Sequence, residues 1–270
     1  MAGTAVRKMS GSGWRLAWVC VFLLFLYLPI MLMPLFSFND GIYVAFPLKG
    51  FTTKWYAQLF ANEALAHALV NSLKVAIAAS LISTGLAIFA AKAFTRYEFK
   101  GRQLGYGLIM APMILPEIMV GISLFLIILA LGLPLGLYTV LFGHVLFCMP
   151  FAISVLSSRL EGFDKSLEEA SLDLGESPLM TFWRVTFPLT MPGIVSSLLL
   201  CFTISFDEFI LAFFLSSTET TLPVYIWGQL RFPAKLPEVL ALGSLILVGT
   251  TILIVAAQSI RGEEGMTQGR

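Results

Sequence analysis

Three carboxylates stand in stretches of the chain that are otherwise uncharged: Glu117, Asp207 and Glu208. Glu117 is the only charged residue in a stretch of 56, and Asp207 follows 22 uncharged residues. An ionisable side chain in apolar surroundings is costly and therefore marks a functional site by default. Carboxylates with little water to screen them attract cations. We expect the three to border the path of a cationic solute. The alternative is that they lie at the membrane interface, or pair with backbone or with a partner subunit.

Motifs for catalysis are missing from the sequence. No Gly-Lys dipeptide occurs, so the phosphate-cradling loop of an ATPase is excluded, and no HExxH, GxSxG or CxxC pattern is present. His67 and His144 are far apart in sequence, and the three cysteines each stand alone in an apolar run. We therefore expect no enzyme activity, no metal site and no cofactor in this chain.

A charged segment between Arg159 and Pro192 interrupts the apolar chain with six acidic and three basic residues. Ser166 and Glu169 have the spacing of a capping box, which predicts the start of a short helix that ends at Gly175. A serine followed by a proline, Ser177-Pro178, predicts a second helix that runs to Thr186, ahead of Pro188. Two capped helices exceed what a simple connection between spans needs. The segment is expected to dock a partner protein.

The remaining chain is that of a polytopic membrane protein. Of 270 residues, 58% are hydrophobic and 12% charged, and the mean hydropathy is +0.88. Uncharged runs of about 20 residues can each cross a bilayer. Six transmembrane helices are predicted, at about 16–39, 69–91, 104–131, 137–157, 191–215 and 239–257. The first run is too long for the apolar part of a secretory signal and is expected to be retained.

Small residues recur every four positions along the second predicted helix, at Ala79, Ser83, Ala87 and Ala91. This spacing places them on one face, where small side chains allow close helix packing. On straight third and fifth helices, a rise of about 1.5 Å per residue would put Glu117 and Asp207 in the outer half of the membrane.

Lysine and arginine are distributed unequally between the two sides of the predicted spans. Twelve lie on one side, including the segment after Arg159 and both termini, and four on the other. Because positive residues accumulate on the cytoplasmic side, both termini and the charged segment are predicted to be cytoplasmic. The net charge of +1 gives no reason to expect nucleic-acid binding.

The charged segment resembles a known family motif. Glu169-Ala170-Ser171, then Gly175, then Val185, Phe187 and Pro188, is similar to the EAA loop of ABC importer permeases, with matching spacing. Ser171, Val185 and Phe187 replace the family's Ala, Ile and Leu. The resemblance implies that these seven residues form a coupling helix that contacts a cytoplasmic ATPase subunit.

The same resemblance implies an all-α, type I ABC importer permease (MetI-like) fold and a place in the bacterial inner membrane. It also implies the partners: a second permease subunit in a heterodimer, two ATPase subunits that bind ATP and Mg, and an external substrate-binding protein. The domains expected are a front region, 1–66, a core, 67–258, with the coupling loop at 159–192, and a tail, 259–270.

Four further segments resemble the spermidine/putrescine permeases of that family, namely Gly50–Tyr56, Phe147–Phe151, Ser158–Asp164 and Leu172–Gly175. The resemblance implies a polyamine as substrate. Related branches carry other small organic solutes with similar loops, so a different solute remains an alternative. A secondary transporter without an ATPase is a further alternative, against which the capped loop argues.

Overall fold

The computed structural model describes residues 12–267, with side chains described from 13 to 252. Within this range the regular structure is helical, apart from an isolated bridge between Asn39 and Phe51. The helices are α1 (Ser12–Ser37), α2 (Lys54–Phe60), α3 (Glu63–Arg96), α4 (Arg102–Ile114), α5 (Glu117–Ala130), α6 (Leu137–Glu161), α7 (Ser166–Asp173), α8 (Pro178–Thr181), α9 (Phe187–Asp207), α10 (Ile210–Leu215), α11 (Leu222–Gln229) and α12 (Leu236–Thr267).

Five of these helical segments are long and apolar enough to cross a membrane, and the bent pair α4 and α5 makes a sixth if counted as one span. This agrees with the all-helical, six-span prediction. The orientation stays a prediction, because Arg7, Lys8 and Arg270, which contribute to the count of positive residues, lie outside the described residues.

The third span is not the straight helix that the sequence analysis predicted. Its two halves, α4 and α5, meet at an angle of 109°. Proline disfavours helical backbone in the residue before it, and Leu115, which precedes Pro116, is extended at φ −77° and ψ 144°. The depth predicted for Glu117 assumed a straight helix, so it does not follow from the structure and stays a prediction.

The fifth span also differs from its prediction of 191–215. A continuous helix runs from Pro178 to Asp207 and includes a π turn over Phe182–Thr186. Pro188 lacks an amide hydrogen and would clash with a carbonyl four residues earlier in a regular helix. The widened turn just before it, in which the Phe187 amide donates to the Phe182 carbonyl, keeps the helix continuous.

One compact unit, residues 63–227, is built around α3, α6 and α9. The predicted small face of α3 is buried there, with Ala79, Ser83, Ala87 and Ala91 fully shielded from solvent. Thr84 lies on the same helix, and its hydroxyl is 2.9 Å from that of Ser197 on α9. Small side chains thus let these three helices approach closely and form polar contacts.

A second unit comprises residues 1–62 and 228–270. In it α1 packs on α12, and the Met33 methyl group lies against Gly243, where an added Cβ would be 2.3 Å away and would require the methionine side chain to shift. Trp55 of α2 donates to the Asn39 carbonyl at 2.8 Å and fastens the segment after α1. Most of α1 exposes apolar side chains, as suits a helix in lipid.

Candidate functional site

Within the charged segment, a turn at Asp164 precedes the first helix. Its carboxylate accepts a hydrogen bond from the Ser166 amide at 3.0 Å, and α7 starts at Ser166. Hydrogen bonds from Ser166 hold the pKa of the Asp164 carboxyl below its ordinary value. The predicted capping box of Ser166 and Glu169 is wrong, because Lys165 occupies the capping position and Ser166 is already helical. Asp164 supplies the acceptor that the prediction assigned to Ser166.

The end of α7 has the predicted glycine signal. Gly175 has φ +89°, which side chains with a Cβ rarely adopt. The Gly175 amide donates to the Leu172 carbonyl at 2.9 Å, and the Glu176 amide donates to the Ser171 carbonyl at 3.2 Å. These two bonds form a Schellman motif and satisfy the last carbonyls of the helix.

The second predicted cap is also present. The Ser177 hydroxyl accepts a hydrogen bond from the Met180 amide at 3.3 Å, and Pro178 occupies the first turn of α8. The Ser171 and Thr181 hydroxyls lie 3.0 Å apart and join α7 to the end of α8. The helix that starts here is the fifth span itself, so the segment is joined rigidly to the membrane domain.

The seven predicted coupling residues do not form one surface. Glu169, Ala170, Gly175 and Pro188 are exposed, whereas Ser171, Val185 and Phe187 are half-buried. The Phe187 ring lies 5.0 Å from that of Trp183, so Phe187 packs against a side chain of its own segment. The exposed members remain free to meet another protein.

A cluster of half-buried ions joins α7 to α3. The Glu168 carboxylate lies 3.2 Å from Arg96 and 3.5 Å from Lys92, and its side chain is only 13% exposed. It also accepts a hydrogen bond from the Thr186 hydroxyl, in the π turn. Arg96 in turn donates to the Leu160 carbonyl at 2.8 Å, at the end of α6. We call Glu168, Lys92, Arg96 and Thr186 the ionic node.

Sequence reasoning missed this node, although one signal was available. Lys92 and Arg96 are four residues apart and so share a face of α3 at its end. Two cations on one face of a span need a counter-charge, and the charged segment supplies it. The EAA motif predicts Glu169 as the functional residue, whereas its neighbour Glu168 makes the ion pairs with Lys92 and Arg96.

Large apolar side chains are exposed on the same segment. Leu174 is 87% exposed at the turn after α7, and Leu179 is 69% exposed at the start of the second helix. Leu167 and Trp183 are each about half exposed. An exposed apolar group beside charged residues is typical of a surface that contacts another protein.

The three candidate carboxylates lie at two helix breaks. Asp207 is the last residue of α9 and is exposed, whereas Glu208 is buried and accepts a hydrogen bond from the Leu211 amide at 2.8 Å. Glu117 is half-buried at the first position of α5. A Cβ added at Gly121 of α5 would meet Phe214 of α10 at 2.9 Å, so the two short helices pack closely.

The two breaks are thus associated through the packing of α5 on α10. Glu208 already has a structural task, because it precedes the capping residue Phe209 and accepts a hydrogen bond from the first turn of α10. Asp207, which is exposed and has no hydrogen bond or ion pair among the described residues, is free to interact with a solute.

Comparison with known sequences gives three findings. The family model described as "Binding-protein-dependent transport system inner membrane component" matches residues 83–261. The spermidine/putrescine transport system permease protein PotC of Shigella flexneri is 33% identical over 246 residues, covering 91% of this chain and 92% of that protein. The putrescine transport system permease protein PotI of Escherichia coli (strain K12) is 36% identical over 244 residues, 87% of this chain and 86% of the relative.

A solved structure shares the fold. A chain of a bacterial alginate ABC transporter, crystallised in complex with an alginate pentasaccharide-bound periplasmic protein, superposes with a TM-score of 0.68. The match covers 90% of each chain at 17% identity. At this identity the likeness concerns the arrangement of helices.

Proposed function

The chain belongs to the family of binding-protein-dependent transport system inner membrane components, and from that premise we propose that it is a permease subunit of an ATP-driven importer for a polyamine such as spermidine or putrescine. The observation that carries the substrate class is the extended similarity to PotC and PotI, at 33% and 36% identity over most of each chain. As a membrane component of a transport system, the chain is a transporter subunit of the inner membrane and not an enzyme.

The energy would come from partner chains. We assign ATP and Mg to two cytoplasmic ATPase subunits, since the sequence has no phosphate-binding loop of its own. A second permease chain would complete the path, and an external binding protein would deliver the substrate. The family description, which specifies dependence on a binding protein, supports this last partner.

The charged segment is the proposed docking surface for an ATPase subunit. Glu169, Ala170 and Gly175 are exposed beside the apolar Leu174 and Leu179. The two caps and the continuous helix from Pro178 to Asp207 fix this surface to the fifth span. A rigid connection of this kind is required if movement of the ATPase is to move the path.

The helix breaks are the proposed border of the substrate path. A break leaves backbone groups unpaired at membrane depth, which is tolerated only inside protein or beside a water-filled cavity. Asp207 offers an exposed carboxylate there, while Glu117 is half-buried and Glu208 is buried. A diamine or triamine would find in them charge-assisted hydrogen-bond acceptors.

The test is reconstitution of the chain with its co-expressed neighbours in proteoliposomes that contain ATP. Uptake of labelled putrescine and spermidine is compared with uptake of a neutral sugar and an acidic amino acid, with and without ATP. We expect ATP-dependent uptake of the polyamines alone. Uptake of another solute instead would contradict the substrate assignment, and uptake without an ATPase subunit would contradict the importer itself.

A further inference from the structure

The ionic node occupies the junction of four helical elements. Glu168 lies on α7, Lys92 and Arg96 on α3, and Thr186 in the π turn that leads into α9. Arg96 also reaches the carbonyls of Leu160 and Phe163, at 2.8 and 3.4 Å, just at and beyond the end of α6. Glu168 therefore pairs with Lys92 and Arg96 of α3. These two residues also contact the end of α6, through Leu160, and the π turn that leads into α9, through Thr186.

The three charged side chains of the ionic node are largely shielded from solvent. The side chains of Arg96, Glu168 and Lys92 are 7%, 13% and 17% exposed. Ions in such surroundings interact more strongly than surface pairs, and removal of one partner leaves an uncompensated charge. Lys92 also lies 5.1 Å from the centre of the Phe182 ring, which further restrains its position.

Charge alone does not explain why Glu168 is in this position. Asp173 on the same short helix is exposed and bears the same charge, without an ion pair among the described side chains. The contacts that tie α7 to α3 converge on Glu168. Among the ion pairs of the described residues, those that link α7 to α3 are both made by this side chain, and Arg96 extends the link to the end of α6.

We propose that Glu168 is a positioning residue that converts displacement of the docking surface into movement of α3 and α6, by way of Arg96 and Lys92. The inference rests on the proposed function, in which an ATPase subunit moves that surface. Glu168 touches neither nucleotide nor substrate in this role. Its loss should separate ATP hydrolysis from transport without preventing the ATPase from binding.

The test compares Glu168→Gln with the wild-type complex in proteoliposomes. Glutamine keeps the shape and an acceptor for Thr186, and removes the charge that pairs with Arg96 and Lys92. We expect the ATPase to copurify and to hydrolyse ATP, while polyamine moved per ATP falls about tenfold or more, because the charge-dependent link is lost. Asp173→Asn, the matched control on α7, should leave this ratio unchanged.

A second variant guards against failure to assemble. Glu168→Gln combined with Lys92→Met keeps the net charge of the node, since one negative and one positive charge are removed together. It still lacks the pair with Arg96, and we expect it to assemble and to be uncoupled. An unchanged ratio in an assembled variant would overturn the proposal, as would loss of assembly in both variants, which would make Glu168 a purely structural residue.

The two hypotheses fail in different ways. If no ATPase copurifies with the wild type or with Asp173→Asn, the importer assignment fails. If the ATPase copurifies and the ratio is insensitive to Glu168→Gln, the importer assignment stands and the role of the node is wrong.

Discussion

At the scale of single residues, neighbouring carboxylates have different surroundings. Asp207 and Glu208 are adjacent, yet the first is exposed and the second is buried against the start of α10. Glu168 and Glu169 differ in the same way on α7, where Glu168 is half-buried and paired and Glu169 is exposed. A helix end or a change of face thus decides which of two like residues is structural and which is available to a partner.

Asp207→Asn should slow polyamine uptake about tenfold, because a charge-assisted partner of the cation is lost, while complex yield stays at the wild-type level. The measurement is initial uptake of labelled putrescine together with the amount of assembled complex. Glu219→Gln, which neutralises an exposed acid outside the helix breaks, serves as control. Normal uptake by Asp207→Asn would remove this residue from the path.

At the scale of elements, the helix interruptions have identifiable chemical causes. Pro116 bends the third span, Pro188 follows the π turn, and Glu208 accepts a hydrogen bond from the first turn of the short helix after α9. At each interruption, either a proline has no amide that would need a partner, or a side chain accepts a hydrogen bond from an amide that the break leaves unpaired. The end of α7 is the sharpest of these features, because it depends on the backbone conformation of one glycine.

Gly175→Val should displace the docking surface, because a β-branched side chain at φ +89° costs about 1–2 kcal/mol. Nothing lies within 4 Å of the added Cβ, so the backbone alone produces this effect. We expect less ATPase to copurify and uptake to fall, with membrane insertion retained. Gly175→Asn is the control, since asparagine tolerates this conformation. Equal behaviour of both variants and the wild type would remove the Schellman turn from the coupling function.

At the scale of the whole molecule, exposed apolar side chains and charged side chains occupy different parts of the described chain. Apolar side chains cover the exposed faces of the long helices, and charged residues gather at their ends and in the segment after α6. In the proposed function, the ATPase subunit binds on the side of the membrane that carries the charged segment, which the distribution of lysine and arginine predicts to be cytoplasmic.

A cysteine introduced near Gly101 should resist an impermeant thiol reagent added to intact cells, because the connection between α3 and α4 is rich in lysine and arginine. The background carries Cys20→Ser, since the other two cysteines are buried. Labelling should appear only after the membrane is made permeable. Labelling from outside would invert the orientation and place the charged segment away from ATP.

The sequence by itself determined the properties that depend on local composition and spacing. Uncharged runs defined the spans, the small residues of α3 defined a packing face, and Gly175 and Ser177 defined two helix caps. These features are encoded within a few residues, because helix periodicity, φ preference and capping act locally.

Only the tertiary structure decided which charges meet. Glu168 lies more than 70 residues from Arg96, and nothing in its local sequence distinguishes it from Glu169. The bend at Pro116 and the close packing of α5 on α10 were likewise visible only in the tertiary structure, since the sequence analysis predicted straight spans. Pairing of distant ions depends on the relative placement of whole helices, which follows from packing throughout the core and not from the residues that pair.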